Sequence, residues 1–185
     1  LRIFKTQNRK TFFTLLICIF VSLRLYVLKK IIFANKIYLM IRKAKQNDIH
    51  RILDLLSQVN DVHAEGRPDF FIKGKRKYEE EDLEKIINDD NTQVFVCEED
   101  DDVKGYAFCV MQDLSQCSKL RPDKSLYIDD ICVDEKYRRH GVGRKLYEFV
   151  IQYAKEEKCF NVTLNVWDRN PEAKAFYESM GMKVQ

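Results

Sequence analysis

Glycine and proline are scarce in this chain of 185 residues, at 6 and 3, which excludes a collagen-like or low-complexity polymer. None of the six cysteines forms a C-x-x-C pair, and no Cys/His cluster has zinc-ligand spacing, so no metal site is expected. A Walker A loop is missing, because no G-K-[ST] occurs. A dinucleotide-binding fingerprint is missing too, because Leu146 stands where its third glycine belongs. What remains is 45% hydrophobic and 33% charged, the composition of an ordinary globular domain. Cys97, Cys109 and Cys132 fall in apolar, strand-like runs and read as small buried hydrophobes in a reducing cytoplasm.

Acidic residues are absent from one whole segment. Residues 1–39 carry eight Lys or Arg and no Asp or Glu, leaving 24 bases and all 29 acids in 40–185, a net of −5. The body is therefore mildly acidic and gives no reason to expect a nucleic-acid partner. Within 1–39 the apolar run FFTLLICIFVSL (12–23) is short of the roughly 20 residues of a membrane span. Its length suits a secretory h-region, but no small-x-small cleavage site follows. Three readings stand: a membrane anchor, a secretory signal, or translated sequence upstream of a true start at Met40. A membrane partner is expected only if the segment is a real anchor.

From residue 40 the pattern is α/β. A short extended piece at 41–44 is followed by Asn47 as a candidate N-cap. Apolar residues at helical spacing from Ile49 to Val59 predict an amphipathic helix over 48–60. Residues 61–74 read as a loop and 78–90 as a second, acidic helix. Strands are expected at 94–97 and 103–111, forming a hairpin across a charged turn at 98–102. After a polar loop, 112–124, come a strand at 125–133, a helix at 141–157, a strand at 161–166 and a helix at 171–180 with Pro at its first turn. A last strand begins at Met182 and is cut off by the end of the chain. No repeat or linker divides 40–185, so one α/β domain is expected.

Two stretches carry chemistry. In SLYIDDICVDEKYRRHGVGRK (125–145) a strand runs through a basic loop into a helix. The unpaired amides and partial positive charge of a helix N-terminus attract phosphate. Gly141 and Gly143 would let an anion approach the main chain, and Arg138, Arg139 and Arg144 add charge. A phosphate or pyrophosphate at the amides of 139–144 is the expectation; a plain glycine turn is the bland alternative. In NPEAKAFYESMGM (170–182) Asn170 can cap the helix, while Tyr177 taken alone reads as a half-buried core aromatic.

Together these stretches, Arg138-x-x-Gly141-x-Gly143 and Asn170-x-x-Ala173-x-x-Phe176-Tyr177-Glu178-x-x-Gly181-Met182, resemble the GNAT superfamily of N-acetyltransferases over 40–185. The resemblance implies a mixed central sheet splayed between strands 125–133 and 161–166, helices on both faces, and a last strand absent from this chain. It implies acetyl-CoA as co-substrate. The pyrophosphate would lie on Arg139, Gly141, Val142, Gly143 and Arg144, with Arg138 nearby. The pantetheine arm would pair with the main chain of Ile131, Cys132 and Val133, with Asn170 beside it.

The implied chemistry is direct acetyl transfer to a primary amine in a ternary complex. Tyr177 would protonate the departing sulfur. Asp129 would take the ammonium proton through water, and Asp130 would hold a cationic substrate. Cys132 has no identifiable His partner and is not expected to act as a nucleophile. Glu65 and Phe70, on the loop 61–74, would line the acceptor site, and the acids favour a small basic amine. The alternatives are a protein lysine or N-terminal acetyltransferase and an acyl-CoA-binding module without turnover. A cytoplasmic protein, with a homodimer left open, completes the expectation.

Overall fold

The structure, a computed structural model, describes residues 23–28, 40–115, 124–167 and 169–184. The chain divides into two units at Leu39/Met40. In the first, residues 23–28 are helical with their side chains exposed; the rest of the 12–23 run, Cys18 and Cys117 lie outside the described residues. Among the described residues no helix is long and apolar enough to cross a membrane.

The second unit is a five-stranded sheet in sequence order. Its elements are β1 (Ile41–Lys43), α1 (Ile49–Gly66), α2 (Glu80–Ile87), β2 (Thr92–Glu99), β3 (Asp102–Asp113), β4 (Lys124–Val133), α3 (Val142–Glu156), β5 (Asn161–Leu164) and α4 (Pro171–Ser179). Neighbours from β1 to β4 are antiparallel, and β4 pairs with β5 in parallel.

Strand alternation assigns the two faces. Val94, Val96, Tyr106, Phe108 and Cys132 turn to α1 and α2, where Ile52, Leu53, Leu55, Leu56 and Leu83 close the core. Phe95 turns the other way and meets Phe149 and Tyr153 of α3, each with ring centroids 5.0 Å apart. The expected helices on both faces are present. The Cys132 thiol lies against the Leu55 carbonyl at 3.5 Å, and burial pushes it up to about 12. It is a core side chain and not a thiolate.

Several boundaries differ from the sequence reading, each for a local reason. Asp48, not Asn47, organises the entry to α1: its carboxylate accepts from the Lys45 amide at 2.7 Å and pairs with Arg42. Helix α1 runs six residues beyond 60 and stops just before Arg67, whose αR conformation Pro68 disfavours. Helix α2 is shorter than 78–90, because Tyr78 is drawn against Phe108, 5.8 Å between centroids. The hairpin turn is Asp100–Asp101 alone, both left-handed at φ 57° and 58°, which matches the twist of a tight hairpin. Residues 182–184 form no strand; the Met182 amide instead bonds the Tyr177 carbonyl at the end of α4.

Candidate active site

The site begins where β4 departs from regular pairing. On its β3 side, Phe108 pairs with Asp130 and Cys109 with Ile128, so Asp129 is the extra residue of a β-bulge. On its β5 side, pairing stops at Ile128↔Leu164. The main chain of 129–133 thus has an open edge, and the sheet splays where the sequence reading expected. In a regular strand two adjacent side chains point to opposite faces. Here the bulge brings both Asp129 and Asp130 into one cavity of about 490 Å³.

Beyond β4, the chain is pinned before it enters α3. Asp134 is 2% exposed, accepts from the Lys136 amide at 2.9 Å, and forms a short ion pair with Arg51 of α1. Gln58 accepts from the Glu135 amide at 3.1 Å. Arg139 and Gly141 are left-handed, at φ 63° and 82°. This geometry turns the loop so that α3 starts directly under the open edge. The Lys145 amide closes the first turn on the Gly141 carbonyl at 3.0 Å, so the amides of Val142, Gly143 and Arg144 lie ahead of the helical ladder.

A second cavity, of about 460 Å³, joins this turn to the open strand. Ile131, Cys132 and Val133 line one side of it, and Arg138, Arg139, Gly141, Gly143 and Arg144 line its end. Val142, expected at this site, does not line the cavity; it is buried, at 3% exposed. Arg138 Nε donates to the Val133 carbonyl at 3.2 Å. Asn170 caps α4, accepting from the Ala173 amide at 3.1 Å. Asn170, Ala173, Tyr177, Val59 and Ile131 line both cavities, so Tyr177 stands at the passage between them. The open strand edge, the helix N-terminus and the three arginines fit an extended pantetheine chain ending in a pyrophosphate.

In the first cavity Tyr106 donates to Asp130 Oδ2 at 2.7 Å. Burial pushes the Asp130 carboxyl up to about 6, against the downward pull of that bond and of Lys77. Asp129 Oδ2 accepts from Lys77 Nζ at 2.6 Å and from the Tyr78 hydroxyl at 3.3 Å. Burial alone would lower the Lys77 ammonium, but the bond and charge of Asp129 hold it above its ordinary value. Burial, with the Asp130 charge behind it, raises the Tyr177 hydroxyl well above that of a free phenol.

The outer wall is aromatic. His63 stacks on Phe71 at 5.1 Å, Phe71 meets Trp167 edge-on at 5.3 Å, and Phe70 lies 6.0 Å from Trp167. Burial lowers His63, leaving a neutral ring at pH 7. Of the loop residues expected at the site, Phe70 lines the cavity. Glu65 does not: it points outward, 72% exposed and 3.9 Å from Lys73. The extension of α1 turns it away from the cavity that His63 faces.

The sequence reading missed Lys77, Tyr78, Tyr106 and Trp167. Trp167, the single tryptophan in the chain, lies three residues before Asn170 and was the one available signal.

A family model described as the acetyltransferase (GNAT) family matches residues 59–182. The chain is similar to glucosamine 6-phosphate N-acetyltransferase of Arabidopsis thaliana, 37% identical over 59 residues, 32% of this chain and 38% of that protein. It is also similar to an uncharacterized N-acetyltransferase from the pepI 3′ region of Lactobacillus delbrueckii subsp. lactis. There the identity is 29% over 109 residues, 54% of this chain and 62% of that one. The match thus spans less than two thirds of either relative. Among solved structures, a point mutant of the BH1408 protein of Bacillus halodurans superposes with a TM-score of 0.74. It is 29% identical and covers 78% of this chain and 93% of that chain.

Proposed function

The chain belongs to the acetyltransferase (GNAT) family, and on that premise we propose that it transfers an acetyl group from acetyl-CoA to the primary amine of a small basic acceptor. The observation that carries this reading is the pair of cavities meeting at Tyr177, one ending at a helix N-terminus and the other floored by two carboxylates. Bound acetyl-CoA supplies an activated carbonyl. The amides of Val142, Gly143 and Arg144, with Arg138, Arg139 and Arg144 around them, hold its pyrophosphate. The main chain of Ile131, Cys132 and Val133 receives the pantetheine arm as an added strand, and Asn170 flanks it.

Both carboxylates act on the amine, with roles exchanged relative to the sequence expectation. Asp129 is already engaged by an ammonium group, that of Lys77, and is suited to positioning a cation. Asp130, at about 6, is mostly ionised at neutral pH yet able to hold a proton, as a general base requires. Tyr177 keeps its proton at all physiological pH values and donates it to the departing sulfur. The aromatic wall of Phe70, Phe71 and Trp167 would cover the carbon body of an acceptor and attract its cationic end. A cavity of about 490 Å³ favours a small molecule over a folded protein substrate.

An acetyl-CoA-dependent thiol-release screen over pools of primary amines tests the proposal. Release with diamines or amino acid amines, and none with neutral alcohols, is the expected pattern. Thiol release with no pool, although acetyl-CoA binds, would reduce the reading to an acyl-CoA-binding module.

A further inference from the structure

Lys77 is an amine that the protein itself holds in the acceptor cavity. Its Nζ lies 2.6 Å from Asp129 Oδ2 and 5.2 Å from the centre of the Tyr78 ring, and it shares the cavity lining with Asp130 and Tyr177. The segment carrying it is fixed on both sides. Asn60 donates to the Ile72 carbonyl at 2.8 Å and Asp61 accepts from the Gly74 amide at 2.8 Å, while Tyr78 packs on Phe108. Lys73 and Lys75, on the same segment, are exposed and line neither of the two cavities.

We infer that Lys77 is a self-acetylation site, modified by the enzyme's own acetyl-CoA; this rests on the cofactor reading proposed above. Holding the amine in place replaces a bimolecular encounter with an intramolecular one, an advantage no dissolved acceptor has before it binds. Its ion pair, with the Lys77 side chain 47% exposed, is weak enough to open. In the transfer the Lys77 ammonium gives a proton to the carboxylate pair, and from there it passes to water. The neutral Nζ attacks the acetyl carbon and the N–C bond forms; the nitrogen, now cationic, gives its second proton to the carboxylate pair and on to water, and the C–S bond breaks. The sulfur leaves with the bonding pair, takes a proton from Tyr177 and departs as the thiol; water restores the Tyr177 proton. The product is a neutral acetyl-lysine. Losing that charge breaks the ion pair and frees Asp129 for the ammonium of an incoming acceptor.

The test is incubation of the full chain with acetyl-CoA bearing a carbon-13 acetyl group, with peptide mapping by mass spectrometry over time. Calorimetry on the same sample measures acetyl-CoA binding. The expected result is labelling of Lys77 about tenfold or more faster than Lys73 or Lys75, at a rate independent of protein concentration. Lys77→Arg should lose the fast label and keep its thermal melt. Binding of acetyl-CoA with Lys77 labelled no faster than the two exposed lysines overturns this inference alone. Labelling that accelerates with protein concentration overturns it as well, since it means transfer between molecules. Failure of acetyl-CoA to bind overturns the cofactor assignment and this inference with it.

Discussion

Gly105→Ala should damage the fold and the cofactor groove together. Gly105 pairs with Val133 across the β3–β4 ladder. A Cβ at this position would lie 2.6 Å from the Cys132 carbonyl oxygen, 3.2 Å from Leu146 Cδ1 and 3.3 Å from Val133 Cα. A carbon–oxygen contact in a sheet settles near 3.3 Å, so the strands must part by roughly 0.7 Å. Leu146 is fully buried and cannot yield cheaply. Overpacking of this kind costs about 2 kcal/mol, or roughly a thirtyfold fall in the folded-to-unfolded ratio. In urea, with a slope of about 2 kcal/mol/M, the midpoint should drop by about 1 M.

The shift falls on Cys132 and Val133, whose main chain is assigned to the pantetheine arm, so acetyl-CoA affinity measured by calorimetry should fall in the same variant. Gly143→Ala is the control. Its Cβ would meet Val133 Cγ2 at 3.5 Å and Phe176 Cζ at 3.7 Å, which are ordinary contacts, so its midpoint should move by less than about 0.5 kcal/mol equivalent. If Gly105→Ala unfolds at the same urea concentration as Gly143→Ala, the close approach of β3 to β4 is not what fixes the groove.

Tyr177→Phe keeps the ring and removes the hydroxyl; turnover on the best amine should fall by about 10²-fold with acetyl-CoA affinity unchanged, and near-normal turnover at saturation would remove Tyr177 from the chemistry. Asp130→Asn should abolish the acid limb of the kcat/KM profile near the folded value of about 6. Because that folded value is raised, the native state binds the extra proton, and wild-type stability falls as pH rises from about 4 to 6. The Asn variant should therefore be more stable at pH 7, by at most about 3 kcal/mol, in a thermal or urea melt. Arg51→Met strands the buried Asp134 and should cost about 3 kcal/mol in urea denaturation at neutral pH. Burial alone would raise the Asp134 carboxyl, yet Arg51 and the Lys136 amide hold it below its ordinary value. Without Arg51, burial raises that carboxyl, so the Arg51 effect should be full only at pH above the variant's raised value and shrink as pH falls through it.

The helices and strands were legible where burial imposes a period. Ile49, Ile52, Leu53 and Leu56 mark one face of α1, and Leu146 and Val150 one face of α3, at the spacing that predicts helix. Element ends were less legible, because they depend on single contacts. Asp48 is held by an arginine 6 residues away, and Tyr78 leaves its helix for a ring 30 positions downstream. The proposed cofactor half of the site is contiguous in sequence, since one strand, one turn and one helix terminus make it up, and Arg138 through Arg144 could be read directly. The acceptor half is assembled from α1, the segment before α2, β3, β4 and the end of β5. Tyr106, Lys77 and Trp167 carry no local mark of being neighbours.

The α/β class, the order of elements and the glycine turn that opens α3 are all written in the local sequence. Each of these follows from local rules: apolar period, glycine placement and the unpaired amides of a helix start. The tertiary structure decided what Asp129 and Asp130 are. Adjacent residues in a strand belong to opposite faces, and only the β3 register, which leaves Asp129 unpaired, brings both into one cavity. It also decided their surroundings. Burial raises Asp130, and Lys77, distant by 52 positions, pairs with Asp129. Desolvation and Coulomb energy depend on distance in space and on the surrounding protein, quantities that separation along the chain does not specify.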